Sequence, residues 1–123
     1  MNGNNLLIDT NIALYLLSGD KVLAETLNNC DVYVSFITEL ELLGYRGITQ
    51  EEHNKVKDFL NDCIIIDLNE SIKLLTIELK QSLRLKLPDA VIAATAKYLN
   101  MPLVSADSDF SKIDQIQFIE YQL

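Results

Sequence analysis

Near the start of the chain the apolar run Leu6-Leu7-Ile8 stops abruptly in an acid, a hydroxyl and an amide, Asp9-Thr10-Asn11. A short run with that ending reads as a buried strand that delivers a carboxylate to its own exit. Directly after it, Ile12, Leu14, Tyr15, Leu16 and Leu17 form an apolar segment too long for a two-residue turn and too short to span a membrane, which predicts a helix. Strand, tight turn and helix therefore meet at Asp9.

The same alternation continues along the chain. Ser18-Gly19-Asp20 reads as a stop and a new N-cap, opening a short helix through Val22, Leu23 and Leu27 to Asn29. Val32-Tyr33-Val34-Ser35 is a second strand, rich in residue types that favour the pleat. Thr38-x-x-Glu41 has the spacing of a capping box, which predicts a third helix beginning there and ending near Gly44 or Gly47. A second such box, Thr49-x-x-Glu52, opens a fourth helix with Val56, Phe59 and Leu60 on one face. Cys63-Ile64-Ile65-Ile66 is a continuous apolar run, as expected of a strand buried on both faces of a parallel sheet. Asn69 caps a long helix in which Ile72, Leu75, Leu79 and Leu83 make an inward stripe, with Lys73, Lys80 and Arg84 turned away from it. Pro88 suits the first turn of the next helix, where Ala90, Ala93, Ala94 and Ala96 permit close packing on a sheet. Leu103-Val104-Ser105 is a fourth strand, and Ile116 to Tyr121 a fifth, reached through a polar loop containing Asp107 and Asp109.

Strands alternating with helices imply an α/β class, here a three-layer α/β/α sandwich around a central, mainly parallel five-stranded sheet. The 123 residues, 49% of them hydrophobic, show no repeat and no linker, so one domain over residues 1–123 is expected. No apolar run is long enough to span a membrane, and Met1-Asn2-Gly3-Asn4-Asn5 lacks the basic and apolar regions of a signal peptide. The expected compartment is the cytoplasm. Cys30 and Cys63 adjoin strand candidates without C-x-x-C spacing and read as buried, reduced thiols. His53, among Glu51, Glu52, Asn54 and Lys55, reads as a solvated surface residue rather than a catalytic base.

Ten basic and 18 acidic residues give a net charge of −8, which argues against attraction of nucleic acid by the whole molecule. Between Lys73 and Lys97, however, five basic residues face two acids, a local +3 that leaves −11 elsewhere. A polyanion should bind near that segment, with metal ions to help.

Four acids hold equivalent places: Asp9 at a strand exit, Glu41 near a helix start, Asp89 behind Pro88, and Asp107 just past the fourth strand. Each has a plain structural reading, as a helix cap, a capping-box partner, a helix-dipole acid or an Asx turn. Those readings do not explain why acids, rather than Ser or Asn, recur at four sites that such a fold can bring to one sheet edge. Carboxylates about 4 Å apart repel by about 4 kcal/mol at an effective dielectric of about 20, so a cluster must take up protons or cations. All-oxygen ligation suits Mg²⁺ or Mn²⁺, and the corresponding chemistry is metal-assisted phosphodiester hydrolysis.

Leu7-Ile8-Asp9-Thr10-Asn11, then Val34-Ser35-Phe36-Ile37-Thr38-Glu39-Leu40-Glu41, then Leu87-Pro88-Asp89-Ala90 through Ala96, then Leu103-Val104-Ser105-Ala106-Asp107-Ser108-Asp109-Phe110, resemble the PIN-domain family in order and spacing. The similarity runs over essentially the whole chain and is strongest to the single-domain VapC-type toxins of toxin–antitoxin pairs. It implies an Mg²⁺- or Mn²⁺-dependent ribonuclease with Asp9, Glu41, Asp89 and Asp107 as its acids, and with Asp9, Asp89 and Asp107 near the metal. Asp107 aligns better than Asp109, which is left as an outer-shell candidate. Ser105 stands where the family more often shows Thr; with Thr10 and Asn11 it would shape the surrounding hydrogen bonds. Arg84 and Lys86 are candidates for RNA contact, and Arg46 is either another or a plain loop charge. The resemblance also implies a cognate antitoxin, perched over the acidic cleft with an Arg among the carboxylates, and a homodimer. Two other readings stand beside it: a catalytically silent PIN-like module that binds RNA or protein, and a phosphoryl-transfer domain of the receiver or haloacid-dehalogenase type. Against the latter, no second Asp follows closely after Asp9, and Asp67 after the third strand lacks a clear Lys partner.

Overall fold

Strand β1 (Asn5–Ile8) runs into helix α1 (Thr10–Leu17) with Asp9 alone between them. The computed structural model describes residues 4–122, so most of the segment read for a signal peptide lies outside the described residues. The chain continues through α2 (Lys21–Leu27), β2 (Asp31–Ser35), α3 (Phe36–Leu43), α4 (Gln50–Asn61), β3 (Ile64–Ile66), α5 (Glu70–Ser82), α6 (Leu87–Leu99), β4 (Leu103–Ser105), a 3-10 helix (Ser108–Lys112) and β5 (Phe118–Glu120). The sheet has the order β3-β2-β1-β4-β5, and every pairing is parallel.

Side chains alternate across a strand, so neighbours in sequence enter opposite layers. Leu7 and Leu103 face one core with Ile72, Leu79, Ile92 and Phe110. Ile8, Val34 and Val104 face the other with Ile12, Leu23, Leu42, Val56 and Leu60. Helices α5 and α6 thus cover one face, while α1, α2 and α4 cover the other. Helix α6 is buried from Ala90 to Ala96, and its alanines let it lie close against the sheet.

Strand β1 pairs with β2 on one side and β4 on the other, with Ile8 opposite both Val34 and Val104. The order reverses between β1 and β4, and in open α/β sheets that crevice, beyond the carboxyl ends of the strands, is where ligands bind. Asp9 follows β1 there and Asp107 follows β4.

Several local expectations are corrected. The α3 capping box does not form: the helix starts at Phe36, with Ser35 as N-cap accepting from the Ile37 N–H at 3.1 Å. Strand β2 passes into α3 without a linker, so Thr38 falls inside the helix, where it is fully buried. Strand β3 omits Cys63, whose N–H closes the end of α4 on the Leu60 carbonyl. It is an edge strand with Ile64 44% exposed, so it is not buried on both faces. Strand β5, the other edge, is trimmed to the residues opposite Leu103, Val104 and Ser105. His53 is half-buried, with Nδ1 enclosed and without a hydrogen-bond partner, rather than fully solvated. The Thr49–Glu52 box, the Asn69 cap and Pro88 in the first turn of α6 are as expected. Cys30 and Cys63 are free and half-buried, and burial pushes the Cys63 thiol up to about 11.

Candidate active site

Asp9 is the N-cap of α1 and only 5% exposed, and both of its carboxylate oxygens are engaged. Oδ1 accepts the Ile12 N–H at 2.9 Å, while Oδ2 accepts the Ser105 hydroxyl at 2.5 Å. The register of β1 on β4 brings Ser105 there: Ile8 lies opposite Val104, so Asp9, just past β1, meets Ser105, the last residue of β4. Ser105 Oγ in turn accepts the Asp107 N–H at 2.9 Å, and Asp107 Oδ1 accepts the Asp109 N–H at 2.9 Å, capping the 3-10 helix. One hydrogen-bonded thread thus links Asp9, Ser105 and Asp107 across the central seam.

Asp9, Glu41, Asp89 and Asp107 line a single cleft of about 220 Å³, together with Thr10, Asn11, Lys86, Pro88 and Ile92. Asp89 enters it from the first turn of α6, where Pro88 needs no partner for its missing N–H. Glu41 enters from α3, and the Thr10 hydroxyl donates to its Oε1 at 2.6 Å. Lys86, just before α6, is the one cation on the cleft wall among the described residues.

The charges strain one another. Burial raises the Asp9 carboxyl above its ordinary range; the Ser105 and Ile12 bonds oppose this, and the charge of Asp107 adds to it. Burial also raises Asp89, with further repulsion from Asp107, Asp9 and Glu41, against which Lys86 acts. The acids therefore feel one another across the cleft, although among the described residues no three His, Cys, Asp or Glu side chains converge into a finished ligand shell. Such a cleft takes up protons or a cation. Its oxygen donors are four carboxylates, a hydroxyl and an amide, without sulfur or imidazole, which fits Mg²⁺ or Mn²⁺.

A pH dependence follows. Carboxyls raised in the folded state bind protons more tightly there than in the unfolded chain, so they cost stability as pH rises from about 4 through their folded values. Asp20 and Glu52 are lowered by hydrogen bonds from Leu23 and Thr49, and their contribution is lost only as pH falls through the lower carboxylate range. Through these carboxyls metal-free protein should lose stability as pH rises above about 4, and millimolar Mg²⁺ should offset most of that loss. An Asp89→Asn variant whose melting depends on pH just as the wild type's does would show that the raised Asp89 carboxyl is not its source.

The other residues singled out from the sequence divide. Asn11 and Lys86 line the cleft, and Ser105 lies beneath it, fully buried. Asp109 is exposed and does not line it; its backbone, not its carboxylate, joins the thread to Asp107. Arg46 lies exposed in the loop after α3, and Arg84 lies exposed between α5 and α6, its carbonyl accepting from Lys112 at 3.2 Å. Neither lines the cleft. Thr38 was read only as a cap, yet its hydroxyl lies 3.0 Å from that of Thr10. Its position one helical turn before Glu41 was the available signal.

Beside the cleft lies a second, more apolar groove of about 490 Å³, which shares Thr10 and Glu41 with it. Leu14, Leu17, Leu42, Tyr45, Ile48 and Val56 supply most of its surface. Tyr15, Leu16 and Leu43 do not line this groove and pack against the core.

A family model described as PIN domain matches residues 6–116. No curated protein gives a match. Among solved structures, a toxin–antitoxin complex from Klebsiella pneumoniae is similar at 28% identity and a TM-score of 0.82, covering 96% of this chain and 99% of that one. VapBC-1 from nontypeable Haemophilus influenzae is similar at 27% identity and a TM-score of 0.78, with 94% and 97% covered. VapBC2 from Rickettsia felis, bound to a DNA fragment from its promoter, shares the fold at 22% identity and a TM-score of 0.83, with 96% and 99% covered.

Proposed function

Because the chain belongs to the PIN domain family, we propose that it is an endoribonuclease dependent on Mg²⁺ or Mn²⁺, the VapC-type toxin of a toxin–antitoxin pair. The observation that carries this reading is the meeting of Asp9, Glu41, Asp89 and Asp107 in one cleft at the sheet's switch point.

Asp9, Asp89 and Asp107 would hold the ion, and Glu41 completes the acidic set. The chemistry such an ion supplies when bound is activation of water toward phosphorus and neutralisation of the charge that builds on the phosphodiester. The chain's own residues do the rest. Ile12 and Ser105 fix the plane of the Asp9 carboxylate, so its remaining lone pairs face the cleft. Asn11 offers an amide to orient water, and Lys86 meets a phosphate oxygen at the cleft wall. Arg84, two residues earlier and exposed, would offer a further cation to RNA beyond that wall. Arg46, exposed in the loop after α3 and outside the cleft lining, would serve either as a more distant RNA contact or as a loop charge.

The neighbouring groove supports the partner. Apolar side chains beside an acidic cleft suit a segment that lays hydrophobic anchors along the groove and inserts an Arg among the carboxylates, as a cognate antitoxin would. The family also implies a homodimer working in the cytoplasm; among the described residues no helix is long and apolar enough to cross a membrane.

The test is cleavage of RNA by purified protein with Mg²⁺ or Mn²⁺ and with EDTA. Cleavage should require the ion and be restored by adding it back in excess. Folded protein that binds RNA but cuts none under any of these conditions would leave a silent binding module as the better reading.

A further inference from the structure

Among the described residues, three helical threonines fold back on their own helix. Thr26 donates to the Val22 carbonyl at 2.8 Å, Thr76 to Ile72 at 2.8 Å and Thr95 to Val91 at 2.7 Å. This is the ordinary resting place of a threonine hydroxyl inside a helix. Thr38 departs from it: fully buried in α3, it reaches across to Thr10 in α1 at 3.0 Å.

The direction of that bond is fixed by its neighbour. A hydroxyl carries one hydrogen, and the Thr10 hydrogen is given to Glu41 Oε1 at 2.6 Å, because an ionised carboxylate only accepts. Thr38 must therefore donate and Thr10 accept. A donor that itself accepts a hydrogen bond is polarised into a stronger one. Glu41 is otherwise an exposed side chain with several free torsions, and Thr10 is the group that holds it at the cleft.

We propose that Thr38 is a positioning residue: the relay Thr38 to Thr10 to Glu41 locks the Glu41 side chain in one rotamer over the acidic cleft. Thr38 touches neither the cleft nor anything bound there, so it acts only through Thr10. The consequence for cation binding rests on the metal-dependent reading above, whereas the lock itself does not.

Two measurements separate these. Side-chain scalar couplings of Glu41, read by NMR without metal, should report one rotamer in the wild type and in Thr38→Ser, which keeps the hydroxyl. They should report averaging in the near-isosteric Thr38→Val. Thr10→Val, at a partly exposed site, cuts the direct link and should average Glu41 as well; if Thr38→Val fails to fold, Thr38→Ala, which also lacks the hydroxyl, should give the same averaging. A wild type whose Glu41 already averages, or a Thr10→Val whose Glu41 stays fixed, overturns the relay. Mn²⁺ titration calorimetry then reads the consequence. Thr38→Val should weaken binding by about two- to tenfold, the range of one net hydrogen bond, but should have no effect in a Glu41→Ala background, where no acceptor is left for Thr10. Equal weakening in both backgrounds would make Thr38 a packing residue and overturn the proposal. A wild type with a fixed Glu41 that takes up no Mn²⁺ would sink the metal-dependent reading and leave the lock standing.

Discussion

Asp9→Asn should give a folded protein whose RNA cleavage is lowered by about a thousandfold or more, equivalent to about 4 kcal/mol of barrier. The substitution separates the two roles the side chain holds. As a helix cap, Asn is as good as Asp, so the bond from the Ile12 N–H at 2.9 Å has a replacement acceptor. As a charged group it has no replacement, since an amide supplies only one oxygen and no charge to a cation. The same change removes a carboxylate that burial and Asp107 both disfavour in ionised form, but it also takes the acceptor from the buried Ser105 hydroxyl, so the metal-free variant should stay folded with a stability close to that of the wild type near neutral pH. Thermal melting and RNA cleavage on one preparation check both halves. Full activity in a folded Asp9→Asn variant would remove Asp9 from the chemistry and leave it as a cap.

Phe110→Ala should be among the most damaging single changes to stability, costing about 3–5 kcal/mol. The ring is 1% exposed and packs with Leu7, Leu103 and Ile113 in the α5–α6 core. It also lies 6.1 Å, centroid to centroid, from Phe118 at a tilted 47°, a pairing worth about 0.5–1.5 kcal/mol beyond its buried area. A domain of this kind has about 5–15 kcal/mol in total, so the change takes a large share. It reaches the cleft as well: Phe110 sits within the 3-10 helix that Asp107 caps, and its side chain pins that turn to the sheet. Urea unfolding should show a lower midpoint with an unchanged slope. A loss below about 1 kcal/mol would mean that the turn is held by something other than this ring.

Much of this arrangement was legible in the residues. Strand β1 ending at Asp9 could be read because an apolar run stops in a capping residue, two local signals that agree. The Thr49–Glu52 box, Asn69 and Pro88 are likewise local devices, and each stands where expected. Thr38-x-x-Glu41 carries the same spacing as the Thr49 box but caps nothing, since Ser35 at the end of β2 caps α3 first and Thr38 finds a partner across the fold. Spacing cannot distinguish two boxes whose difference is tertiary. The Ile64–Ile66 run shows the same limit, because hydrophobicity does not reveal whether a strand is central or at an edge.

The site divides along the same line. That four acids belong together followed from their repeated place at strand exits and helix starts. Which neighbours join them did not. Asp107 lines the cleft and Asp109 does not, because Asp107 accepts the Asp109 N–H and turns the chain away into the 3-10 helix. Lys86 lines it and Arg84 does not, since only Lys86 immediately precedes α6. These are consequences of one or two residues of helical phase, which no charge pattern records.

The most direct test of the central claim is anomalous diffraction from crystals soaked in Mn²⁺. The account expects a peak in the cleft within bonding distance of a carboxylate oxygen of Asp9, with Asp89 and Asp107 also around it and water completing the shell. Crystals with an open cleft that show no peak there, or a peak only at carboxylates elsewhere on the surface, would contradict it.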